Sequence, residues 1–339
     1  MSSELKKRAM IEMKGVENLL IPSFTPDLSD LDEKGIRWDV QQSIRHGFYS
    51  TLCAPEAGLT FEEAKRFIEI VTDEANGKIL VGTTLFFDSF EKNMEMLAHA
   101  EKVGCSHVLL GYPTNFYPKS EEEVYQKIRE MCSSTSLGIV FHPSPHYNLG
   151  RFHPSGFPLA LLSKILNLDN VVAVEVAEPG LMAEFIRLFR DKVVISCPIE
   201  RWLPFLHQAF GQQSIGPGPY EYLQSPENPY LVEYFNLMMQ GKIGQAMEIY
   251  WRLTPARILF EMHHGPTATL GIYHWSRFKY YQWLVGGNGG ITRQPSMKIH
   301  QHEMEAIKMA FRQIGIDPRE PDEEFWVGRL YFEKNRPKR

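Results

Sequence analysis

The chain has 339 residues, 43% of them hydrophobic, and its 36 basic and 41 acidic side chains give a formal net charge of −5. This length can bury the core of one large domain or of two medium ones. The charges are mixed along the chain, which excludes the basic stripe of a nucleic-acid-binding protein and the polybasic segment of a membrane-surface protein. No apolar run approaches the ~20 residues of a membrane span.

The cysteines and the first residues predict the cellular location. Four scattered cysteines without a CxxC pair argue against a zinc ribbon or a disulfide framework and fit a reducing compartment. They are Cys53, Cys105, Cys132 and Cys197. The opening stretch, MSSELKKRAMIEMKG, lacks the apolar core of a secretory signal. We therefore expect a cytoplasmic protein.

Short apolar runs typical of buried strands recur along the first two thirds of the chain. They cover residues 18–24, 47–53, 79–85, 107–113, 137–143, 171–176, 193–198 and 213–218. Helical patterns separate them, with Thr60 and Glu63 as a capping box, Gly104 as a helix end and Ser120 as an N-cap. This alternation predicts an α/β fold, a parallel (β/α)8 TIM barrel. A doubly wound sheet is the alternative, but no strand precedes a GxGxxG turn.

The pattern changes after residue 225, where four further segments read as helices and none as a strand. We predict an N-terminal lead-in at 1–15, the barrel at 16–224, a helical extension packed on the barrel at 225–320, and a tail at 321–339. The many aromatic residues of the extension are interpreted as core, and a subunit interface is the alternative.

In a (β/α)8 barrel the working residues lie at the carboxyl ends of the strands and in the loops that follow. This rule selects Ser23, Cys53, Glu56, Thr83, Thr84, Tyr112, Asn115, Phe116, Tyr117, Phe141, His142, Ser144, His146, Glu175, Glu178, Ser196, Cys197 and Gly216. Glu175 is the most unusual of them, because it interrupts a strand of small apolar residues where burial makes a charge expensive.

Several stretches occur in the order and spacing of one known family. They are LTFEEAKRFIEIV after strand 2, YPTNFYPKSEEEVY after strand 4, NVVAVEV on strand 6, the glycines of strand 8, and MQGKIGQAMEIYWRLTP in the extension. Over roughly residues 16–315 the chain resembles the dihydrodipicolinate synthase / N-acetylneuraminate lyase family of class I aldolases. The resemblance implies a barrel with a three-helix tail, a small-molecule substrate, and a homo-oligomer, either a tetramer or a dimer.

The catalytic positions of that family depart from its pattern in this chain. Members use a strand-6 lysine to form a Schiff base with a 2-keto acid, and that lysine falls on Glu175. Their strand-5 tyrosine falls on Phe141, and their hydroxyl-bearing strand-2 loop falls on TLCAPE (51–56). An arginine of some members falls near His146. A carboxylate cannot form an imine and phenylalanine cannot relay a proton, so Schiff-base chemistry is not expected.

Each candidate also has a purely structural interpretation. Glu175 could be salt-bridged within an inactive barrel, or it could be a general acid/base whose pKa is raised by burial. His142 and His146 could support the prolines of their loop, or His142 could be the catalytic partner of Glu175. Cys53 suits a small buried filler better than a nucleophile, and Glu56 could cap the following helix.

Three functions follow from these alternatives. The first is a lyase that works without an imine, by retro-aldol cleavage, hydration or dehydration of a small organic acid or aromatic-derived metabolite. Glu175 and His142 carry its chemistry, and no cofactor, nucleic acid or membrane is involved. The second is metal-assisted hydrolysis or hydration through His142, His146 and Glu175. The third is an inactive barrel that binds a metabolite or a partner protein.

Overall fold

A computed structural model describes residues 3–113, 115–143, 149–152, 158–177, 184, 187–268, 273–294 and 298–336. Its eight strands close into a barrel in chain order, which confirms the predicted (β/α)8 fold. The strands are β1 Gly15–Leu20, β2 Ser50–Cys53, β3 Leu80–Leu85, β4 His107–Leu110, β5 Gly138–Phe141, β6 Val171–Glu175, β7 Val194–Ser196 and β8 Ser214–Gly218. Each pair of neighbouring strands from β3–β4 through β7–β8 is parallel.

Helices follow the strands and continue beyond them. They are α1 Glu4–Glu12, α2 Glu33–Arg45, α3 Phe61–Ala75, α4 Phe90–Val103, α5 Glu121–Ser133, α6 Leu159–Leu166, α7 Leu203–Phe210, α8 Tyr230–Met239, α9 Ile243–Arg252, α10 Thr254–Ala268, α11 Trp275–Leu284, α12 Gln301–Gln313, α13 Asp322–Val327 and α14 Arg329–Asn335. Among the described residues, no helix is long and apolar enough to cross a membrane.

The local helix signals read from the sequence are present. Thr60 and Glu63 form both bonds of a capping box at α3. Gly104 ends α4 with φ 89°, a left-handed conformation that glycine adopts without a Cβ clash. Ser120 accepts the Glu123 amide at the start of α5. These local contacts fix where the helices between the strands begin and end.

The chain divides into two compact units. The first comprises residues 1–17 and 80–217, and the second comprises 18–79 and 218–339. In the first unit, every residue of β4, β5, β6 and β7 is buried, as expected for strands covered on both faces. A carboxylate within such a strand has no easy access to water.

Both ends of the chain contain helices where the sequence predicted a lead-in and a tail. In the first unit, Lys6 of α1 is buried and its Nζ donates to the Leu166 carbonyl at 2.6 Å. In the second unit, α13 buries Phe325 completely. Long-range contacts of this kind are not visible in a polar local sequence.

Candidate active site

Glu175 is the last residue of β6 and is 4% exposed. Its register partner on β7 is Ser196, which in turn pairs with Ser214 of β8. The other four residues of β6 are apolar and buried. Glu175 is therefore the one ionisable group of its strand, at the carboxyl end where (β/α)8 barrels carry their chemistry.

His142 directly follows β5 and contacts Glu175. Its Nδ1 lies 3.3 Å from the Glu175 carbonyl oxygen and 3.3 Å from Glu175 Oε1. A carbonyl oxygen can only accept, so Nδ1 carries the hydrogen and donates it to the Glu175 carbonyl oxygen. Oε1 of Glu175 is a close neighbour of the same nitrogen.

Oε2 of Glu175 is buried and has no hydrogen-bond partner among the described residues. A buried polar atom without a partner is unfavourable by about 1–3 kcal/mol. Such atoms are rare in folded proteins and mark positions where a ligand can supply the missing contact. Oε2 is thus the atom of this site that is best placed to exchange a proton with a substrate.

Gly216 of β8 provides the space that the Glu175 carboxyl occupies. A Cβ at this position would lie 2.5 Å from Glu175 Oε2, 3.0 Å from Cδ and 3.2 Å from the Ser196 hydroxyl. Strand β8 is not a hydrogen-bonded neighbour of β6 in the barrel order. Glycine thus lets the carboxyl of β6 reach past β7 to the backbone of β8.

The pKa of Glu175 is raised well above its ordinary value, chiefly because burial disfavours the charged form. The negative charge of Glu17 raises the pKa of Glu175 further. Glu175 is therefore a neutral acid over a wider pH range than an exposed glutamate, which suits it to donate a proton near neutral pH.

Glu17 belongs to a buried pair that the sequence reasoning missed. Its Oε1 lies 2.8 Å from His107 Nε2, and His107 Nδ1 lies 2.8 Å from the Ser106 hydroxyl. Glu17 is on β1 and His107 is on β4, with β2 and β3 between them in the barrel order, so this contact spans the barrel interior. The available signal was an ionisable residue near the start of each of two strands that end in apolar residues.

We expect Gly216→Ala to destabilise the protein by about 1–3 kcal/mol, because the added methyl group displaces the Glu175 carboxyl. Denaturant unfolding measures the change. Gly244→Ala in α9 is the matched control: its Cβ would meet nothing within 4 Å, and a helical alanine favours stability by about 0.5–1 kcal/mol. In a Glu175→Ala background, Gly216→Ala should lower the free energy of unfolding by less. An unchanged loss would contradict a clash between the added methyl group and the Glu175 carboxyl.

The loop after β4 contributes an aromatic cluster. Tyr112 is buried and stacks on Phe116 at 5.4 Å, and Phe116 meets Phe90 edge-on at 4.9 Å. Tyr117 is 69% exposed, and the Arg151 guanidinium lies 3.9 Å from its ring centre. Asn115 is exposed. Tyr112 and Phe116 thus form one packed group, whereas Asn115 and Tyr117 face solvent.

Other predicted site residues of the first unit are buried without entering the His142–Glu175 contact. Phe141 is completely buried and pairs in register with Val174 of β6. Thr83 is buried, and its hydroxyl donates to the Thr84 carbonyl at 3.4 Å. Ser144, His146 and Glu178 lie outside the described residues. The described residues include no group of three potential metal ligands.

In the second unit, Cys53 ends β2 and is completely buried, and Glu56 follows it in the loop. The same unit holds a lysine that the sequence reasoning did not consider. Lys279 of α11 is 0% exposed, and its Nζ donates to Asp39 Oδ2 at 2.6 Å, to Ser23 Oγ at 2.8 Å and to the Ile21 carbonyl at 3.0 Å.

These three contacts engage the Lys279 nitrogen fully and hold it against Asp39, which makes it a poor nucleophile. None of the eight described strands ends on a lysine. The end of β6 therefore carries a buried carboxyl group with an imidazole beside it, and no amine.

Comparison with known proteins finds similar sequences and similar folds. No family model matches the chain. The 4-hydroxy-tetrahydrodipicolinate synthase of Methanopyrus kandleri is 24% identical over 315 residues, covering 91% of this chain and 98% of that relative. The enzyme of the same name from Methanocaldococcus jannaschii is 28% identical over 310 residues, covering 89% of this chain and 99% of that relative. The chain is similar over about nine tenths of its length to members of the dihydrodipicolinate synthase / N-acetylneuraminate lyase family.

Solved structures agree with this family in fold. N-acetylneuraminate lyase from Fusobacterium nucleatum superposes with a TM-score of 0.72 at 19% identity, covering 89% of this chain and 99% of that one. Dihydrodipicolinate synthase from Oceanobacillus iheyensis gives a TM-score of 0.73 at 16% identity, covering 91% and 98%. The curated relatives are named as synthases and the solved neighbour as a lyase, and these names support a lyase-type enzyme.

Proposed function

We propose that this protein is a lyase that works without a Schiff base and uses Glu175 as its general acid/base. The observation that carries the proposal is the buried Glu175 carboxyl, whose Oε2 has no partner among the described residues and whose Oε1 lies 3.3 Å from His142 Nδ1. The substrate is a small organic acid or aromatic-derived metabolite.

The chemistry needs a proton at the atom where negative charge develops. In retro-aldol cleavage the electron pair of the breaking C–C bond moves onto a carbonyl oxygen, and in dehydration the leaving hydroxyl takes up negative charge. Glu175 Oε2 donates its proton to that oxygen, and the resulting carboxylate takes a proton from the substrate: from the hydroxyl that becomes the new carbonyl in retro-aldol cleavage, or from the carbon that joins the new double bond in dehydration. His142 stabilises the transient carboxylate through its Nδ1–H.

Two features support a mechanism without an imine. Residue 175 is a carboxylic acid where the family resemblance leads us to expect a lysine, and Phe141 stands where a proton-relaying tyrosine is expected. The second feature is Lys279, the completely buried lysine of α11, whose three donors are all engaged in the second unit. Neither residue 175 nor Lys279 thus offers a free amine.

Borohydride trapping tests this proposal. Incubation of the whole protein with pyruvate and sodium borohydride should leave its intact mass unchanged, because no imine forms for the hydride to reduce. A family member that carries the strand-6 lysine serves as the positive control. A stable pyruvyl adduct on this chain would overturn the proposed mechanism, and peptide mapping would identify the lysine responsible.

We also propose that the protein assembles as a homo-oligomer, a tetramer or a dimer. Large apolar side chains at Trp251 of α9 and at Ile258 and Met262 of α10 are exposed in the single chain and support this proposal. A cytoplasmic location stays a prediction from the sequence.

A further inference from the structure

A groove of about 740 Å³ opens in the second unit, and neither the family resemblance nor the proposed chemistry uses it. Its walls come from the last turn of α2, residues 225–228, the end of α11, and the chain from α12 to the start of α14. The volume falls within the roughly 300–1,000 Å³ typical of small-molecule sites. The groove is thus large enough for a metabolite rather than for a single ion.

Four arginines line this groove: Arg45, Arg312, Arg319 and Arg329. Three acidic residues, Glu227, Asp317 and Glu320, line it as well, so the lining carries one net positive charge. The neutral side chains of Ser225 and Asn228 add further hydrogen-bonding groups. This composition favours a ligand with negatively charged oxygens.

Arg329 is the buried member of the four arginines. Its Nη1 donates to the Gly286 carbonyl at 2.6 Å and its Nε donates to Glu324 Oε1 at 3.1 Å, which hold the guanidinium in place. Its Nη2 is buried without a hydrogen-bond partner among the described residues. Arg329 lines the groove, and an unpaired guanidinium N–H on a lining residue is a donor whose hydrogen bond to a ligand oxygen would be favourable.

Two carboxylates contact the two arginines of this wall. Glu324 accepts from Arg329 Nε and from Arg319 Nη2 at 2.8 Å, and Glu333 accepts from Arg319 Nη2 at 3.3 Å. Burial and the charge of Arg319 lower the pKa of Arg329. An anion bound nearby would favour the charged guanidinium and would itself be attracted by both arginines.

The arginines at the rim are able to exchange partners. Arg45 lies 3.2 Å from Glu227 and Arg312 lies 3.1 Å from Glu320, and all four side chains are more than half exposed. Exposed pairs of this kind contribute only about 0–1 kcal/mol. A ligand oxyanion that forms charge-assisted bonds to a guanidinium can displace such an exposed acid.

We propose that this groove, which we name the arginine groove, is a second binding site for a small metabolite that bears carboxylate or phosphate groups. Arg329 and Arg319 form its wall, and Arg45 and Arg312 close on the ligand from the rim. The site is independent of the chemistry proposed for Glu175.

Calorimetric titration of the whole protein with inorganic phosphate and, separately, with citrate tests the arginine groove. Sodium chloride at matched ionic strength measures the non-specific contribution. We expect saturable binding of at least one anion below about 10 mM, as charge-assisted hydrogen bonds can supply the ~4 kcal/mol of a millimolar Kd. The separate titrations with phosphate and with citrate show whether the groove prefers a phosphate or a carboxylate ligand.

Variants locate the binding. The double variant Arg45→Gln/Arg312→Gln removes two exposed side chains, so it should fold and weaken binding about tenfold or more, the equivalent of one lost charged hydrogen bond. Arg8→Gln in α1 removes an exposed arginine of the first unit and should leave the affinity unchanged. Arg329→Gln should abolish binding. If this variant fails to fold, the affinity of the double variant still shows whether the anion binds in the arginine groove.

Two outcomes would overturn the proposal. One is the absence of any heat beyond the sodium chloride control for both anions. The other is equal affinity in Arg45→Gln/Arg312→Gln and Arg8→Gln. Titration of Glu175→Gln separates the arginine groove from the barrel site: that variant should bind the anion as the wild type does, and a loss confined to it would place the anion in the barrel and contradict the proposal.

Discussion

Replacement of Glu175 by glutamine should lower kcat/KM by about 10²–10⁴-fold, the range that a positioned general acid contributes. The amide keeps the size of the protonated acid and its polar contact with His142, but it cannot donate and recover a proton. The wild type is first screened by proton NMR against small 2-oxo and hydroxy acids to find a substrate, and kcat/KM is then compared. Wild-type turnover in Glu175→Gln would contradict the assignment.

Glu101→Gln is the matched control for this substitution. Glu101 lies in α4 and accepts hydrogen bonds from Thr135 and Ser136, away from the end of β6. The substitution is the same, so any general effect of replacing a glutamate of the barrel by glutamine appears in both variants. Only the Glu175 variant should lose activity.

The same Glu175→Gln variant reports the pKa of the buried acid through stability. The pKa of Glu175 is higher in the folded state than in the unfolded chain, so between these two pKa values the folded state binds more protons. Stability from this group is therefore present below about pH 4.5 and is lost as the pH rises toward the folded pKa. Glutamine does not titrate, so this loss is absent in the variant. Unfolding curves at acidic and neutral pH should show that its free energy of unfolding depends less on pH than that of the wild type.

Substitution of Lys279 by methionine should cost about 3–5 kcal/mol of unfolding free energy, because it leaves the Asp39 carboxylate buried without its cation. Lys279 Nζ lies 2.6 Å from Asp39 Oδ2, and both side chains are almost fully buried. Circular dichroism during urea unfolding measures the change. Lys164→Met, at an exposed lysine of α6, should shift the free energy of unfolding by no more than about 0.5 kcal/mol.

The double variant Lys279→Met/Asp39→Asn tests the cause of that destabilisation. If an uncompensated charge is responsible, neutralising Asp39 should recover part of the stability that the single variant lost. A double variant as unstable as the sum of the two single variants would mean that the ion pair is not the origin of the effect.

Local periodicity was sufficient to predict the barrel. Eight apolar runs lie within a few residues of the strands, and the capping box at Thr60 and the glycine at 104 mark helix boundaries correctly. Such signals depend on neighbours three or four residues away and are therefore readable in the chain. The start of β1 was predicted three residues too late, so Glu17 was not recognised as a strand residue.

The sequence by itself also determined that residue 175 is a carboxylic acid at a strand end, and this alone argues against an imine. Only the tertiary structure decided which groups meet it. His142 reaches Glu175 because β5 and β6 are neighbours, and Gly216 makes room for the carboxyl from β8. Lys279 meets Asp39 across 240 residues. Burial, and with it the pKa of an acid or the charge of a lysine, arises from such distant contacts, which leave no trace in the local pattern.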